Sequence, residues 1–292
     1  MKQKNSNDGK KFDFFHLYAV FLKIDSVNSF IYGRNRVLIQ QFYDVYYLEA
    51  MYKGALKSKA SRDELKTRQS ELKEKEKLVR RMLAGYVRQR GKHRIRIWVN
   101  PQMSSTYPCI VENPNISEAF LCFVDAVEQY ETWRSNLNNE QLLVIYRKNL
   151  EDRQKHYGGD ECFKGFNEEL LQKIDISKLT NNKMLKQTLI ELHNAISHLV
   201  AAYYGRNQER NKERAINHFK RGALDSYKAI IKDFYFLTGQ KPMEPIVEDL
   251  KNLRKCEYQT IGDNKRGFQD DLYKKYQDFT TEIIKSLKPN ES

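Results

Sequence analysis

The segment Lys183–Leu237 reads KMLKQTLIELHNAISHLVAAYYGRNQERNKERAINHFKRGALDSYKAIIKDFYFL and contains two strong helical patterns. Its first half repeats apolar side chains at alternating steps of four and three, from Leu185 to Tyr203. That spacing gives one apolar stripe on a helix of about 3.6 residues per turn. The second half carries a similar stripe from Ile216 to Leu237. Two adjacent one-sided helices predict an all-α fold, in which each stripe is buried against other helices.

A polar stripe lies on the opposite side of the first of these helices. Its members are Gln187, Glu191, Asn194 and His198, and the small residues Ala201, Ala202 and Gly205 continue the same face. A carboxylate, an amide and an imidazole on one face indicate either a functional surface or ordinary solvent-facing helix residues.

The second half of the chain reads as a helical bundle. The predicted helices run over about 162–174, 182–205, 211–237 and 268–287, with a shorter helix over Ile246–Leu253. Because four single-faced helices cannot bury themselves separately, we expect an up-down four-helix bundle over residues 160–292. The sequence HYGGD at residues 156–160 is the best boundary signal in the chain.

The first half reads as a mobile tail, residues 1–11, followed by a basic helical domain over residues 12–157. Ser61 and Glu64 form a capping-box pattern that opens a helix to about Gln89. With the preceding helix, from Asn35 to about Ala55, it predicts a long antiparallel hairpin. The alternating segment Arg94–Val99 is the one convincing strand, so we expect at most a short β-hairpin, with residues 106–112 as partner.

The net charge of +13 is concentrated in one region. Between residues 53 and 96 there are sixteen Lys or Arg against five Asp or Glu, a balance of +11. A solvated face explains residues 70–77, where Lys and Glu alternate. It explains residues 80–96 less well, because they contain no acidic side chain. We therefore predict a polyanionic partner, with RNA or DNA first and an acidic membrane surface second. The predicted phosphate contacts are Arg80, Arg81, Arg88, Arg90, Lys92, Arg94 and Arg96.

Several classes of site and location are disfavoured by the sequence. The four cysteines lie far apart and match no zinc or redox spacing. The histidines His193, His198 and His218 are five and then twenty residues apart, whereas zinc ligands on a helix usually lie four apart. We therefore expect no metal and no cofactor. The apolar run from Phe12 to Ile24 is too short to span a bilayer, so we expect a soluble, cytoplasmic protein without a membrane partner.

The run His193-Asn194-Ala195-Ile196-Ser197-His198 resembles the R-x4-6-H signature of the HEPN superfamily, a group of helical-bundle domains. In that signature an Arg, commonly followed by Asn, Asp or His, precedes a His on one central helix. Asn194 and His198 match the polar and histidine positions, whereas His193 stands where the family has Arg. The resemblance covers roughly residues 162–287.

The resemblance implies metal-independent RNA cleavage of the kind found in prokaryotic toxins and antiviral-defence proteins. In this reaction the ribose 2′-OH attacks the adjacent phosphate, and a histidine moves the protons near neutral pH. It predicts a site of His198, Asn194, His193 and the neighbouring Glu191. Since His193 replaces the family Arg, we expect slower or more pH-dependent cleavage, unless Arg206, Arg210 or Arg214 supplies the missing cation.

Two alternatives stay open at the sequence level. In the first, His193 is a packing residue with a satisfied hydrogen bond. In the second, the chain is a non-catalytic helical nucleic-acid-binding or adaptor protein. HEPN-like domains also commonly pair through their motif helices. The small residues Ala201, Ala202 and Gly205 therefore predict a homodimer, or a heterodimer with another helical domain, that buries the polar face.

Overall fold

The computed structural model of the chain describes residues 13–95, 113–156, 184–205, 207–238, 244–262 and 270–286. All regular structure in these ranges is helical, which confirms the predicted all-α class. The nine α-helices are α1 (Phe14–Tyr32), α2 (Arg36–Lys57), α3 (Arg62–Arg90), α4 (Pro114–Ser135), α5 (Asn139–His156), α6 (Lys186–Tyr203), α7 (Gln208–Leu237), α8 (Glu244–Gly262) and α9 (Asp270–Ser286). None of the described helices combines the length and the apolar content that crossing a bilayer requires.

The chain forms two compact units. The first combines residues 1–119 with residues 189–218, and the second combines residues 120–188 with residues 219–292. Each unit therefore contains segments from both halves of the chain. The predicted boundary at residues 157–160 lies outside the described residues, and the two units divide the chain at other positions, inside α4, α6 and α7.

Side-chain caps fix where the first three helices begin. The Oδ1 of Asp13 accepts a hydrogen bond from the backbone N–H of His16, and the Oδ1 of Asn35 accepts one from Leu38. The Oγ of Ser61 accepts from the N–H of Glu64 at 3.2 Å. Each cap satisfies an N–H group that the helix itself leaves without a partner. The predicted start of α3 at Ser61 is confirmed.

The helices α2 and α3 pack against each other as the predicted hairpin. The Nζ of Lys75 lies 2.8 Å from the Oδ2 of Asp44 on the facing helix. A polar residue that interrupts the apolar stripe of α3 is therefore paired across the hairpin. This pairing explains why Lys75 is tolerated at a position that a coiled coil would fill with an apolar side chain.

The core of the first unit is unusually aromatic. The fully buried side chains include Phe14, Phe15, Tyr18, Phe21 and Phe42. The rings of Tyr18 and Phe42 lie 4.8 Å apart at an interplanar angle of 71°, an edge-to-face arrangement. Because each such ring buries roughly 150–250 Å² of surface, this cluster makes a large hydrophobic contribution to the first unit.

The core of the second unit draws on α4, α5, α7, α8 and α9. Trp133 of α4, Leu142 of α5 and Tyr276 of α9 are among its buried members. The four C-terminal helices therefore do not form this core by themselves, and the predicted four-helix bundle is not confirmed. Its first predicted helix, over residues 162–174, lies outside the described residues.

Only the first two residues of the predicted strand, Arg94 and Ile95, lie in the described part of the chain. A single turn of 3-10 helix, Gly91–His93, follows α3. The backbone N–H of Ile95 then donates to the carbonyl oxygen of Lys23 at 3.0 Å, so this residue is tied to α1. Residues 96–112, which hold the rest of the predicted hairpin, lie outside the described residues.

Candidate functional site

The candidate site consists of four polar side chains between α6 and α7 in the first unit, arranged as two pairs at two levels along the helices. Glu191 and His198 are seven residues apart on α6, and Asn211 and His218 are seven apart on α7. Seven residues are about two helical turns, so both members of each pair lie on the same helix face. Because the turn between the helices is short, α7 runs back along α6. His198 therefore meets Asn211 near the turn, and Glu191 meets His218 two turns away.

Both histidines are held through the same ring nitrogen. The Nδ1 of His218 lies 2.6 Å from the Oε2 of Glu191, and the Nδ1 of His198 lies 2.8 Å from the Oδ1 of Asn211. Since each partner atom is an acceptor oxygen, each Nδ1 carries the hydrogen, and the Nε2 of each ring is left to exchange protons. The two rings stack with centroids 5.2 Å apart and planes 15° apart.

The surroundings of His198 favour its neutral form. Burial lowers the pKa of His198 below its ordinary value, and electrostatic interactions with His218 and Arg214 lower it further, against the hydrogen bond to Asn211, which raises it. At neutral pH the imidazole is therefore unprotonated, as a general base must be. The side chain of His218 is mostly buried and that of Glu191 is buried still further.

A cation lies on the same face of α7. Arg214 follows Asn211 by three residues and precedes His218 by four, so the three side chains line up along the helix. Arg214 is exposed, and its charge acts on His198. Arg210, one turn earlier, lines an open groove of about 690 Å³ with Gly205, Asn207, Gln208 and Glu209. Arg206, the third candidate cation, lies outside the described residues.

His193 does not lie in this cluster. Its ring is buried in the aromatic core of the first unit, where its Nδ1 lies 2.9 Å from the hydroxyl oxygen of Tyr18. The ring of Phe21 meets it edge-on, with centroids 6.1 Å apart. Burial, with a smaller effect from Arg34, lowers the pKa of His193 to about 3. This geometry matches the packing interpretation, since a neutral, bonded ring cannot supply the charge of the family Arg.

The expectation that the polar stripe faces away from the packed protein is wrong for part of its length. Glu191 is buried and His198 is half-buried, because α7 folds back onto this face and supplies partners for both. Ala202 is fully buried within the chain. Asn194 is half-buried. Dimerisation stays a prediction, and the face suggested for it is partly occupied by α7.

Sequence reasoning missed His218 and Asn211 as members of the site. The sequence patterns placed His218 only among histidines that do not match zinc spacing, and Asn211 only at the start of a predicted helix. The available signal was the repeated spacing of seven residues on two consecutive helices that a short turn joins. Such a pair of helices is antiparallel, so equal spacings bring four polar side chains together at two levels.

The predicted phosphate contacts lie in the second half of α3 and just beyond it. Arg80, Arg81, Arg88, Lys92 and Arg94 are exposed. Arg90 is half-buried, because its guanidinium lies over the ring of Tyr32, 3.7 Å from the ring centroid. Arg96 lies outside the described residues. Arg88, Arg90, Lys92 and Arg94 therefore share one end of the α2–α3 hairpin with the last turn of α1. Arg80 and Arg81 lie about three turns earlier on α3.

The described residues contain no group of three or more His, Cys, Asp or Glu side chains placed to hold a metal ion. Comparison of the chain with protein-family models, with curated protein sequences and with solved structures finds no match. The resemblance to HEPN domains therefore stays a prediction that depends on the sequence motif alone.

Proposed function

We propose that this chain acts on RNA and cleaves it without a metal ion, with His198 and His218 as the proton-transfer pair. The observation that supports the proposal is the pair of stacked imidazoles, each oriented through Nδ1 by a polar partner. A base held in position by a third group is the arrangement that nucleophile activation requires. The resemblance to HEPN domains suggests the same reaction, and it extends the proposal to the toxin and antiviral-defence class of RNases.

The proposed reaction assigns one proton transfer to each histidine. The Nε2 of neutral His198 takes the proton from the ribose 2′-OH as its oxygen attacks the adjacent phosphorus. The bond from phosphorus to the 5′ oxygen breaks, and protonated His218 gives its Nε2 proton to that leaving oxygen. The products are a 2′,3′-cyclic phosphate and a 5′-OH, so no water, metal or redox partner is consumed. The carboxylate of Glu191 orients the ring of His218 through its Nδ1.

Arg214 is the proposed substitute for the missing family Arg. Its position between Asn211 and His218 on α7 allows the guanidinium to reach the non-bridging oxygens of a phosphate bound at the two rings. Arg214 is exposed, so more of its interaction with phosphate is lost to solvent than for a cation fixed inside the site. We therefore expect slow cleavage that weakens as salt is raised.

The test is cleavage of a labelled single-stranded RNA in the presence of EDTA. Wild type is expected to yield cyclic-phosphate and 5′-OH ends, and His198→Ala or His218→Ala to lower the rate by about 10²- to 10⁴-fold. His16→Ala is the matched control, because His16 also bonds a neighbouring side chain, Tyr204, through Nδ1 at 3.2 Å. Undiminished cleavage in His198→Ala, or a strict need for Mg²⁺, contradicts the proposal.

A non-catalytic RNA-binding or adaptor role is the second candidate. One observation favours it: the residue at the family Arg position is buried and neutral, so the motif helix lacks its cation. This alternative predicts wild-type RNA binding with no cleavage at any pH between 5 and 9. The cleavage assay therefore decides between the two candidates.

A further inference from the structure

The last turn of α1 exposes aromatic side chains. Phe30 is 92% exposed and Tyr32 is 56% exposed, with Ile31 between them also exposed. Val37, in the first turn of α2, is 63% exposed. Single exposed apolar residues are common on protein surfaces, but a run of them that includes two aromatic rings is the pattern of a contact surface.

Cations surround this run. Arg34 and Arg36 follow it along the chain, and no acidic residue occurs between residues 30 and 37. The end of α3 supplies more cations, Arg88, Arg90, Lys92 and Arg94, and residues 88–95 also contain no acidic side chain. The two segments meet in space, because Arg90 stacks on Tyr32 and the Nδ2 of Asn28 donates to the carbonyl oxygen of Arg90 at 3.5 Å.

Hydrogen bonds to the buried side chain of Asp25 hold the segments in place. The Oδ1 of Asp25, on α1, accepts from the backbone N–H of Asn35 at 3.1 Å and from the hydroxyl of Tyr86 at 3.2 Å. Asp25 is buried, so these bonds are partly shielded from water. They tie the end of α1 to the start of α2 and to the last turns of α3. The exposed rings and the cations are therefore presented on a pre-organised surface.

We propose that this surface, Phe30–Val37 together with Arg88–Arg94, is a base-stacking platform for single-stranded RNA. Unpaired bases stack on Phe30 and on the Tyr32–Arg90 pair, while Arg34, Arg36, Arg88, Lys92 and Arg94 contact the phosphates between them. Exposed aromatic rings next to backbone-binding cations are the combination that single-strand-binding proteins use. The inference depends on the proposed action on RNA, and it names the form of RNA and the surface that holds it.

Single-stranded RNA suits this surface better than a duplex or a membrane. The bases of a duplex are stacked on each other, so their faces are closed to Phe30 and Tyr32. Binding to a lipid surface needs a helix with one continuous exposed apolar face. In α1 the apolar residues before Phe30 are mainly buried in the core, and the exposed ones are confined to the end of the helix.

The test measures binding of a fluorescein-labelled, 2′-O-methyl oligouridylate of about twelve nucleotides by fluorescence anisotropy. This probe lacks the attacking hydroxyl, so its binding is measured whether or not the protein cleaves RNA. Phe30→Ala and Tyr32→Ala are expected to weaken binding by about 5- to 100-fold each, with little change in the salt dependence. Arg88→Gln or Arg94→Gln is expected instead to flatten the salt dependence.

The matched control is Tyr258→Ala. Tyr258 is 64% exposed and lies beside the guanidinium of Arg254, 5.0 Å from the ring centroid, so it reproduces the aromatic–cation pair at another place in the chain. Its removal is expected to leave binding unchanged. Wild-type affinity in Phe30→Ala and Tyr32→Ala overturns the platform. A loss of oligonucleotide binding of the same size in Tyr258→Ala also overturns the platform.

Phosphatidylserine-containing vesicles separate a membrane surface from RNA. If the two aromatic variants lose binding to vesicles and keep binding to the oligonucleotide, the platform for RNA is wrong. Failure of the platform leaves the cleavage experiment with its histidine variants unaffected. Failure of cleavage likewise leaves this binding result standing, because the probe cannot be cleaved.

Discussion

Asp233 offers a direct test of how burial sets charge in this protein. This α7 residue is buried in the second unit, where its Oδ2 accepts from the Nε1 of Trp133 at 3.3 Å. Burial raises the pKa of Asp233 to about 6, against the lowering effects of Arg134, the Trp133 hydrogen bond and Lys232. The folded protein therefore binds the Asp233 proton more tightly than the unfolded chain does.

The sign of the effect on stability follows from that difference. A raised pKa contributes stability that is fully present below the unfolded pKa, about 3.9, and is lost as pH rises through about 6. A pKa shift of about two units corresponds to about 3 kcal/mol of unfolding free energy at most. About 2 kcal/mol of this is lost between pH 4.5 and pH 8. Asp233→Asn keeps an acceptor for Trp133 and carries no charge. Relative to wild type, the variant is therefore expected to gain about 2 kcal/mol of unfolding free energy between pH 4.5 and pH 8.

Urea unfolding at both pH values measures this gain, followed by tryptophan fluorescence and by circular dichroism. Trp133 lies beside the substituted group, so its fluorescence reports on this part of the core. The control is the same substitution at an exposed aspartate on α8, Asp249→Asn, which should change the unfolding free energy little. The reasoning is refuted if wild type and Asp233→Asn differ in unfolding free energy by the same amount at pH 4.5 and at pH 8.

Three further predictions concern other buried polar groups. Glu191→Gln removes the carboxylate that orients His218 through Nδ1 and should slow cleavage in EDTA at least about tenfold, whereas Glu213→Gln, at an exposed position on α7, should not. Burial raises the pKa of Glu257, but hydrogen bonds from Lys228 and from the Tyr276 hydroxyl, 2.6 Å away, outweigh it and hold the pKa below its ordinary value. Glu257→Gln should therefore cost about 2–4 kcal/mol in urea unfolding at pH 7, and less as pH falls through the folded pKa. Tyr18→Phe leaves the buried Nδ1 of His193 without its partner and should cost about 1–3 kcal/mol in the same assay. Unchanged stability contradicts the hydrogen bond.

The local structure of this protein was open to prediction from the sequence alone. Apolar periodicity and capping residues predicted the all-α class, and Ser61 with Glu64 predicted the start of α3. These signals are local, because a cap and a helical stripe involve residues only three or four positions apart. The basic character of the α3 end was equally readable, since it depends on composition.

The site, in contrast, was decided by how helices pair. Nothing local to Glu191 indicates that its partner is His218, which lies 27 residues further along the chain. The sequence also left His193 open between a catalytic and a packing role, and the burial of its ring beside Tyr18 was decided by the packing of α1. The exposure of Phe30 was likewise invisible, because an apolar residue at a helix end reads as core until its neighbours are known. Pairing across helices depends on the register and rotation of whole elements, which only the tertiary structure determines.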